Sequence, residues 1–396
     1  MTKIIEQSRS WQEGAAKEIT FIVTKDCQLA CKYCYLVGKN ANERMSFEVA
    51  KRAIDYILWK ENDKLFNQES VIWDFIGGEP FLEIDLIDKI CDYVKVQMYR
   101  LNHHWFNSYR FSISTNGLNY DDEKVQRYIS KNKNHLSIGI TIDGTQLKHD
   151  LNRVYKTTNK GSYKDVVKNI PLWLKQFPDA GTKVTISSAD IPYIKESVLH
   201  LFSLGIHQVN INCVFENVWK PGDDILFEQQ LLGLADEIID KDLFKYNSCS
   251  FFDEGIGKPL DKTNNENWCG AGKMLAVDSA GIFYPCTRFA QYSLRSKKAW
   301  DIGNIEEGIN LNKVRPFLLL NRSSQSSEKC MKCEIASGCA WCQAENFDSA
   351  DTYTLYQRST AICKMHNAHV HANNYFWNKL YRKIELEQYN NPNKLE

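Results

Sequence analysis

Three cysteines, Cys27, Cys31 and Cys34, fall within eight positions of the stretch TKDCQLACKYCY at 24–35. The spacing C-x3-C-x2-C puts three thiolates on one short loop, directly after the apolar run ITFIVT. A four-iron, four-sulfur cube wants one protein ligand per iron. Three cysteines leave one iron open, and an open iron can chelate the amino and carboxylate groups of a methionine-like ligand. Zinc is the competing reading, but structural zinc closes four ligands, usually as two C-x2-C knuckles. No fourth Cys or His lies within thirty residues of this trio. The chain has 13 cysteines in all, and nine sit in four local groups: 27/31/34, 269/286, 330/333 and 339/342. With no export signal, such clustering points to metal rather than disulfides. Cys91 and Cys213 fall in helix and strand patterns and read as small packed hydrophobes.

These thiols need a scaffold. Six β-rich runs, at 18–24, 71–76, 109–115, 136–142, 182–188 and 208–214, alternate with helical patterns at 46–60, 83–101, 121–130, 162–176, 191–204 and 224–241. In the first helix Phe47, Ala50, Ala53, Ile54 and Ile57 recur at three- and four-residue spacing. Strict strand–helix alternation predicts parallel βαβ units, as an open doubly wound sheet or an incomplete barrel. Both folds place ligands where strands end. From about 245 the alternation stops, and residues 245–365 read as irregular and Cys-rich, a segment that needs a staple such as metal. After Cys363 a helix is expected, with Val370, Asn374, Trp377 and Tyr381 on one side, before a frayed end, YNNPNKLE. The expected organisation is an extension at 1–17, an α/β core at 18–244 and a Cys-rich domain at 245–396.

Composition excludes some classes. Formal net charge is zero, so no bulk charge argues for nucleic acid or a membrane surface. No apolar run reaches spanning length, and the N-terminus lacks a secretory h-region. A cytoplasmic protein is expected.

Residues 75–82 read FIGGEPFL, directly after a strand. With the cysteine trio one βα unit earlier, the chain resembles the radical SAM enzymes, over about residues 18–215. The resemblance implies a partial (β/α)6 TIM barrel that binds S-adenosyl-L-methionine on a 4Fe–4S cluster held by Cys27, Cys31 and Cys34. Gly77 and Gly78 would let the backbone approach that ligand, Glu79 would accept from its ammonium, and Pro80 would stiffen the turn. STNG at 114–117 supplies turn chemistry at the end of the third strand. Thr141 would contact the ribose. Arg153, twelve positions later, would meet the carboxylate as a fork. Tyr33 would pack near the adenine or simply within the loop, while Asp143 and Asp150 read as capping or pairing residues.

The C-terminal cysteines read either as zinc ribbons, since C-x2-C occurs twice, or as further iron–sulfur sites. The pattern is similar to the SPASM domain of radical SAM peptide maturases. Gly281 to Cys286 matches Gly-x4-Cys, Cys330, Cys333 and Cys339 match C-x2-C-x5-C, and Cys363 matches the last position. Cys342 departs, with two intervening residues after Cys339 where the family usually has three. The resemblance implies two auxiliary 4Fe–4S clusters, an outer one on Cys330, Cys333, Cys339 and Cys363 and an inner one on Cys269, Cys286 and Cys342. Cys249 would complete the inner set, or its iron would stay open to a substrate thiolate. His366, His369 and His371 read as a polar helix face.

The resemblance implies an oxidoreductase that cleaves S-adenosylmethionine to a 5′-deoxyadenosyl radical and cross-links a ribosomally made, Cys-containing peptide. Maturases paired with Cys-x-x-x repeat peptides are the nearest match, and a sulfur-to-carbon thioether is the first expected product. A carbon–carbon or carbon–oxygen cross-link is the second. A sulfatase-maturing enzyme is the main rival. Such enzymes carry an aspartate beside the second SPASM-type cysteine, whereas Cys286 is followed here by Thr287 and Arg288. Expected partners are the precursor peptide and a low-potential donor such as flavodoxin or ferredoxin. About seventeen residues precede the first strand, too few for a winged-helix leader-binding element, so leader binding is expected on the barrel–SPASM surface or on a separate leader-binding protein. Outside enzymes, a zinc-binding structural module explains 269–342 but not the trio with GGEP.

Overall fold

The computed structural model describes residues 16–39, 41–62, 65–256, 269–335, 339 and 341–390, with side chains to 386. Most of the expected 1–17 extension and the tail beyond Asn390 lie outside the described residues.

Six strands follow the expected ones closely: β1 Ala16–Thr24, β2 Ser70–Gly77, β3 Tyr109–Thr115, β4 Leu136–Ile140, β5 Gly181–Ile186 and β6 Gln208–Cys213. β1 to β4 pair in parallel, in order. β5 and β6 pair in a separate parallel sheet. Between β4 and β5 the sheet is seamed by a side chain. The Thr182 hydroxyl donates to Ile140 O at 2.7 Å, and its oxygen accepts from Ile142 N at 3.1 Å.

Alternation decides which face is which. Ile19, Phe21, Val23, Val71, Trp73, Phe75, Phe111 and Ile113 are fully buried on the helix-covered face. Phe21 stacks on Trp73 and Phe75, with centroids 6.1 and 5.9 Å apart. The alternate positions include polar side chains that line the interior, Glu18, Thr20, Asp74, Ser114, Lys183 and Thr185. A (β/α)8 barrel interior is ordinarily filled by branched apolar side chains. This partial barrel keeps a polar hollow instead.

The helix Phe47–Ile57 starts where Ser46 caps Val49 N, and it buries Ala50, Ala53, Ile54 and Ile57. The helices Ile84–Arg100, Glu123–Asn132, Ile194–Ser203 and Asp223–Asp240 also lie near their expected places. The pattern at 162–176 breaks into Tyr163–Val167 and Ile170–Gln176, because Pro171 sits in the first turn of the second piece. A short helix, Gln146–Asn152, was not expected.

Beyond 245 the chain is less irregular than its pattern suggests. β7 Ser248–Cys249 extends the β5–β6 sheet in parallel. β8 Leu275–Val277 joins β1 in parallel, and β9 Ile282–Tyr284, β10 Gly303–Asn304 and β11 Gly308–Ile309 continue that sheet antiparallel. These runs are two or three residues long, below what periodicity can register. The last helix, Cys363–Asn390, packs on Asp223–Asp240. It buries Met365, Ala368, Ala372, Phe376 and Leu380, and Tyr381 is 46% exposed. Of the side named in the sequence, Val370 is buried and Trp377 half-buried, while Asn374 and Tyr381 are exposed.

Candidate active site

A cavity of about 390 Å³ opens at the strand ends. Its walls include Cys27, Cys31 and Cys34, and Gly77, Gly78 and Glu79, together with Thr141 and Arg153. Three stretches far apart in sequence, 27–34, 77–79 and 141–153, thus face one space.

The cysteine loop is held from two sides. The segment after Gln146–Asn152 straps it, with Ala30 N donating to Val154 O at 2.8 Å and Lys156 N to Gln28 O at 2.9 Å. This strap puts Arg153 beside Cys31. From the other side, Gly78 N donates to Thr24 O at 2.9 Å and Glu79 N to Asp26 O at 2.8 Å. A Cβ on Gly77 would stand 2.4 Å from Thr24 O, and one on Gly78 would stand 2.1 Å from Asp26 O. The glycines are thus required for docking the cysteine loop, a reason beyond the expected approach of a ligand.

Glu79 is 1% exposed. Its carboxylate accepts from Thr115 Oγ1 at 2.6 Å, Asn116 N at 2.7 Å and Phe81 N at 3.1 Å. Burial raises its pKa, and these donors offset the rise. Pro80 begins a short 3-10 turn behind it. The STNG turn therefore positions Glu79, and Asn116 Nδ2 also points at Cys27 Sγ, 3.9 Å away. Leu29 N approaches the same sulfur at 3.4 Å.

Tyr33 lines the cavity. Its hydroxyl donates to Asp143 Oδ2 and accepts from Arg153 Nη1 at 3.1 Å. Asp143 Oδ1 accepts from Thr185 N at 3.2 Å. Burial acts to raise the Asp143 pKa, but Lys148, Arg153, His149 and the Tyr33 hydroxyl hold it below the ordinary carboxylate value. Arg153 is 6% exposed, and its Nε has no hydrogen-bond partner. A buried guanidinium with an unpaired N–H beside a cavity suits an anionic group such as a carboxylate. Asp150, as expected, pairs, accepting from Tyr163 N at 2.9 Å.

The later cysteines gather in two groups. Burial raises the Cys286 pKa, and nearby Cys342 and Cys269 raise it further. Cys339 is pushed up to about 11 by burial, with Cys363, Cys330 and Cys333 close enough to add to the shift. The two neighbourhoods bring together the cysteines expected for an inner and an outer set. Cys249 is buried in β7, opposite Val209. None of the thirteen cysteines forms a disulfide. Among the described residues no three His, Cys, Asp or Glu converge to hold a single ion. A four-iron cube sits between its ligands, and three cysteines around an open cavity, with N–H groups aimed at Cys27, fit that shape.

Residues missed in the sequence connect the two regions. Arg288, after Cys286, lines the cavity and pairs with Glu216. Its guanidinium lies 5.2 Å from the Tyr35 ring centre, and Tyr35 follows Cys34. Burial raises the Glu345 pKa to about 7, and Glu216 adds to the rise. In the outer group, Arg358 donates to Cys339 Sγ at 2.8 Å and lies over the Trp341 ring at 4.0 Å. No spacing signal announces Arg358. The histidines are structural, with His366 Nε2 on Ile335 O at 3.0 Å and His369 Nε2 on Phe251 O at 2.7 Å.

Parallel strands ending around a cysteine-lined cavity define an α/β enzyme built to hold a cofactor over a barrel mouth. Residues 21–202 match the model of the radical SAM superfamily. An uncharacterized protein of Methanocaldococcus jannaschii is 30% identical over 304 residues, 76% of this chain and 93% of that one. The chain belongs to the radical SAM superfamily. A cysteine-type anaerobic sulfatase-maturating enzyme of Clostridium novyi is 29% identical over 360 residues, covering 85% of this chain and 91% of that one. The solved structure of native anSMEcpe with bound AdoMet and Kp18Cys peptide shares the fold, with a TM-score of 0.67, 20% identity and coverage of 92% and 99%. No helix among the described residues is long and apolar enough to cross a membrane.

Proposed function

We propose that this chain is an S-adenosylmethionine-dependent oxidoreductase that modifies a Cys-containing peptide, forming a sulfur-to-carbon thioether. One observation carries the reading. A single cavity is walled by the Cys27–Cys34 loop on one side and by Thr287 and Arg288, which follow Cys286, on the other. A substrate there would face the radical site and the inner thiol group together.

In this reading Cys27, Cys31 and Cys34 hold the radical cluster, and Glu79, Thr141 and Arg153 hold the methionine and ribose parts of the cofactor. When bound, the cluster and S-adenosylmethionine supply hydrogen-atom abstraction and act as the net oxidant. The chain's own work is positioning. Asp143 and Tyr33 fix Arg153, the STNG turn fixes Glu79, and the barrel wall limits water. Residues 245–390 act as a SPASM-type domain with two auxiliary clusters. Arg358 donates to the outer one and Arg288 stands beside the inner one, as second-layer groups that tune thiolate sites.

A second reading, formylglycine formation from cysteine, is supported by the sulfatase-maturating relative. Arg288, paired with Glu216, stands near the place where that activity is expected to keep a free aspartate. The product separates the two. Anaerobic incubation with a Cys-containing peptide from a neighbouring gene should give a product lighter by two hydrogens, with its thiol no longer alkylatable. An aldehyde product would replace the proposal with the second reading. No cleavage of S-adenosylmethionine by fully reconstituted protein would overturn both.

A further inference from the structure

A second, smaller cavity of about 110 Å³ adjoins the first. Its walls include Ile211 and Phe215 at the end of β6, Phe227, Phe251, and Ile362 and Met365 at the start of the last helix. Asn212, Cys213 and Phe215 line both cavities, so the two share a wall. Four elements, β6, the helix Asp223–Asp240, the turn at Ser250–Phe252 and the last helix, enclose this space.

Four polar side chains line it, those of Asn212, Cys213, His366 and His369. His369 and His366 each spend Nε2 on a backbone carbonyl, of Phe251 and Ile335. Burial lowers the His369 pKa to about 4, so its ring is neutral at physiological pH. The Cys213 thiol is pushed up to about 12 by burial and stays protonated. Apart from Asn212, what remains is the apolar surface of Ile211, Phe215, Phe227, Phe251, Ile362 and Met365. An apolar cavity of about 150 Å³ can stay dry and take a benzene-sized guest. A space of about 110 Å³ therefore matches one aliphatic side chain and excludes a peptide backbone.

We propose that this cavity seats a leucine- or isoleucine-sized side chain of the substrate peptide, while a neighbouring residue of the same peptide occupies the larger cavity. The inference rests on the peptide-modifying reading and adds a sequence requirement to it: a large aliphatic residue beside the modified one. Such a pocket distinguishes side chains by roughly 10- to 200-fold per methylene-scale difference.

The test uses the full-length protein, reconstituted anaerobically and labelled at its methionine methyls, with the Met365 signal assigned through Met365→Leu. N-acetyl-leucine methylamide and N-acetyl-asparagine methylamide are the two probes. The leucine probe should move the Met365 signal at a concentration at least tenfold lower than the asparagine probe. Cys213→Leu, which fills the shared wall, should weaken the leucine response at least tenfold. Phe215→Ala, which enlarges the pocket, should shift preference toward N-acetyl-phenylalanine methylamide. Equal responses to the leucine and asparagine probes, or no Met365 response to leucine, would overturn the proposal. The titration needs no turnover, so it can fail while S-adenosylmethionine cleavage and thioether formation both stand.

Discussion

Arg153 shows how one residue can be legible while its support is not. Its distance from Thr141 marked it, and the structure puts it in the cavity wall with an unpaired Nε. The Tyr33 hydroxyl that holds it depends on a tertiary contact 120 positions apart, which no local pattern encodes. Arg153→Ala should weaken S-adenosylmethionine binding by at least tenfold, as expected for loss of a charged hydrogen bond. Tyr33→Phe should weaken it severalfold with the melting temperature little changed. Equilibrium dialysis checks both, and unaltered affinity in Arg153→Ala would remove it from the site. Glu18 gives a pH signature. Burial, then Asp74, raises its pKa from the ordinary 4.5 to about 7. The folded state therefore holds the proton more tightly than the unfolded one. Its contribution to stability is full below about 4.5, is lost as pH rises toward 7 and is level above. Asp74, raised to about 6 by burial, acts in the same direction. The urea midpoint should fall between pH 5 and 8, and Glu18→Gln should flatten that fall. An identical slope in the variant would assign the titration elsewhere.

Whole elements were easier to anticipate than their ends. The six parallel strands announce themselves through β-branched and aromatic runs such as EITFIVT, because one face must bury against helices. The polar positions Glu18, Asp74 and Lys183 carried a signal too, since charged residues alternating inside a strand imply a wet interior. The short strands β8 to β11 had no such signal, and only pairing of β8 with β1 and of each later strand with its neighbour makes them strands. The junction of β2 with the cysteine loop is the most demanding local fit. Gly78→Ala would place a methyl against the Asp26 carbonyl, and the loop must move. That variant should lose about four irons per chain, those of the first cluster, while keeping its far-ultraviolet circular dichroism. Full iron retention would mean that the loop tolerates the displacement.

For the whole molecule, the change of character near 245 suggests a boundary, yet the sheet runs across it. β8 covers the open edge of β1, and β7 covers that of β6. A chain ending at residue 244 should therefore expose two unpaired strand edges and aggregate. Soluble, monomeric expression of that fragment with a cooperative melt would show that the core closes by itself. The same pairing has a consequence during synthesis. β1 ends at Thr24, but its neighbour β8 begins at Leu275. At roughly 5–20 residues per second, the ribosome leaves that edge uncovered for on the order of tens of seconds. The nascent barrel is thus a natural client for a chaperone until its last third emerges, and its yield in a cell should depend on translation speed through the middle of the message.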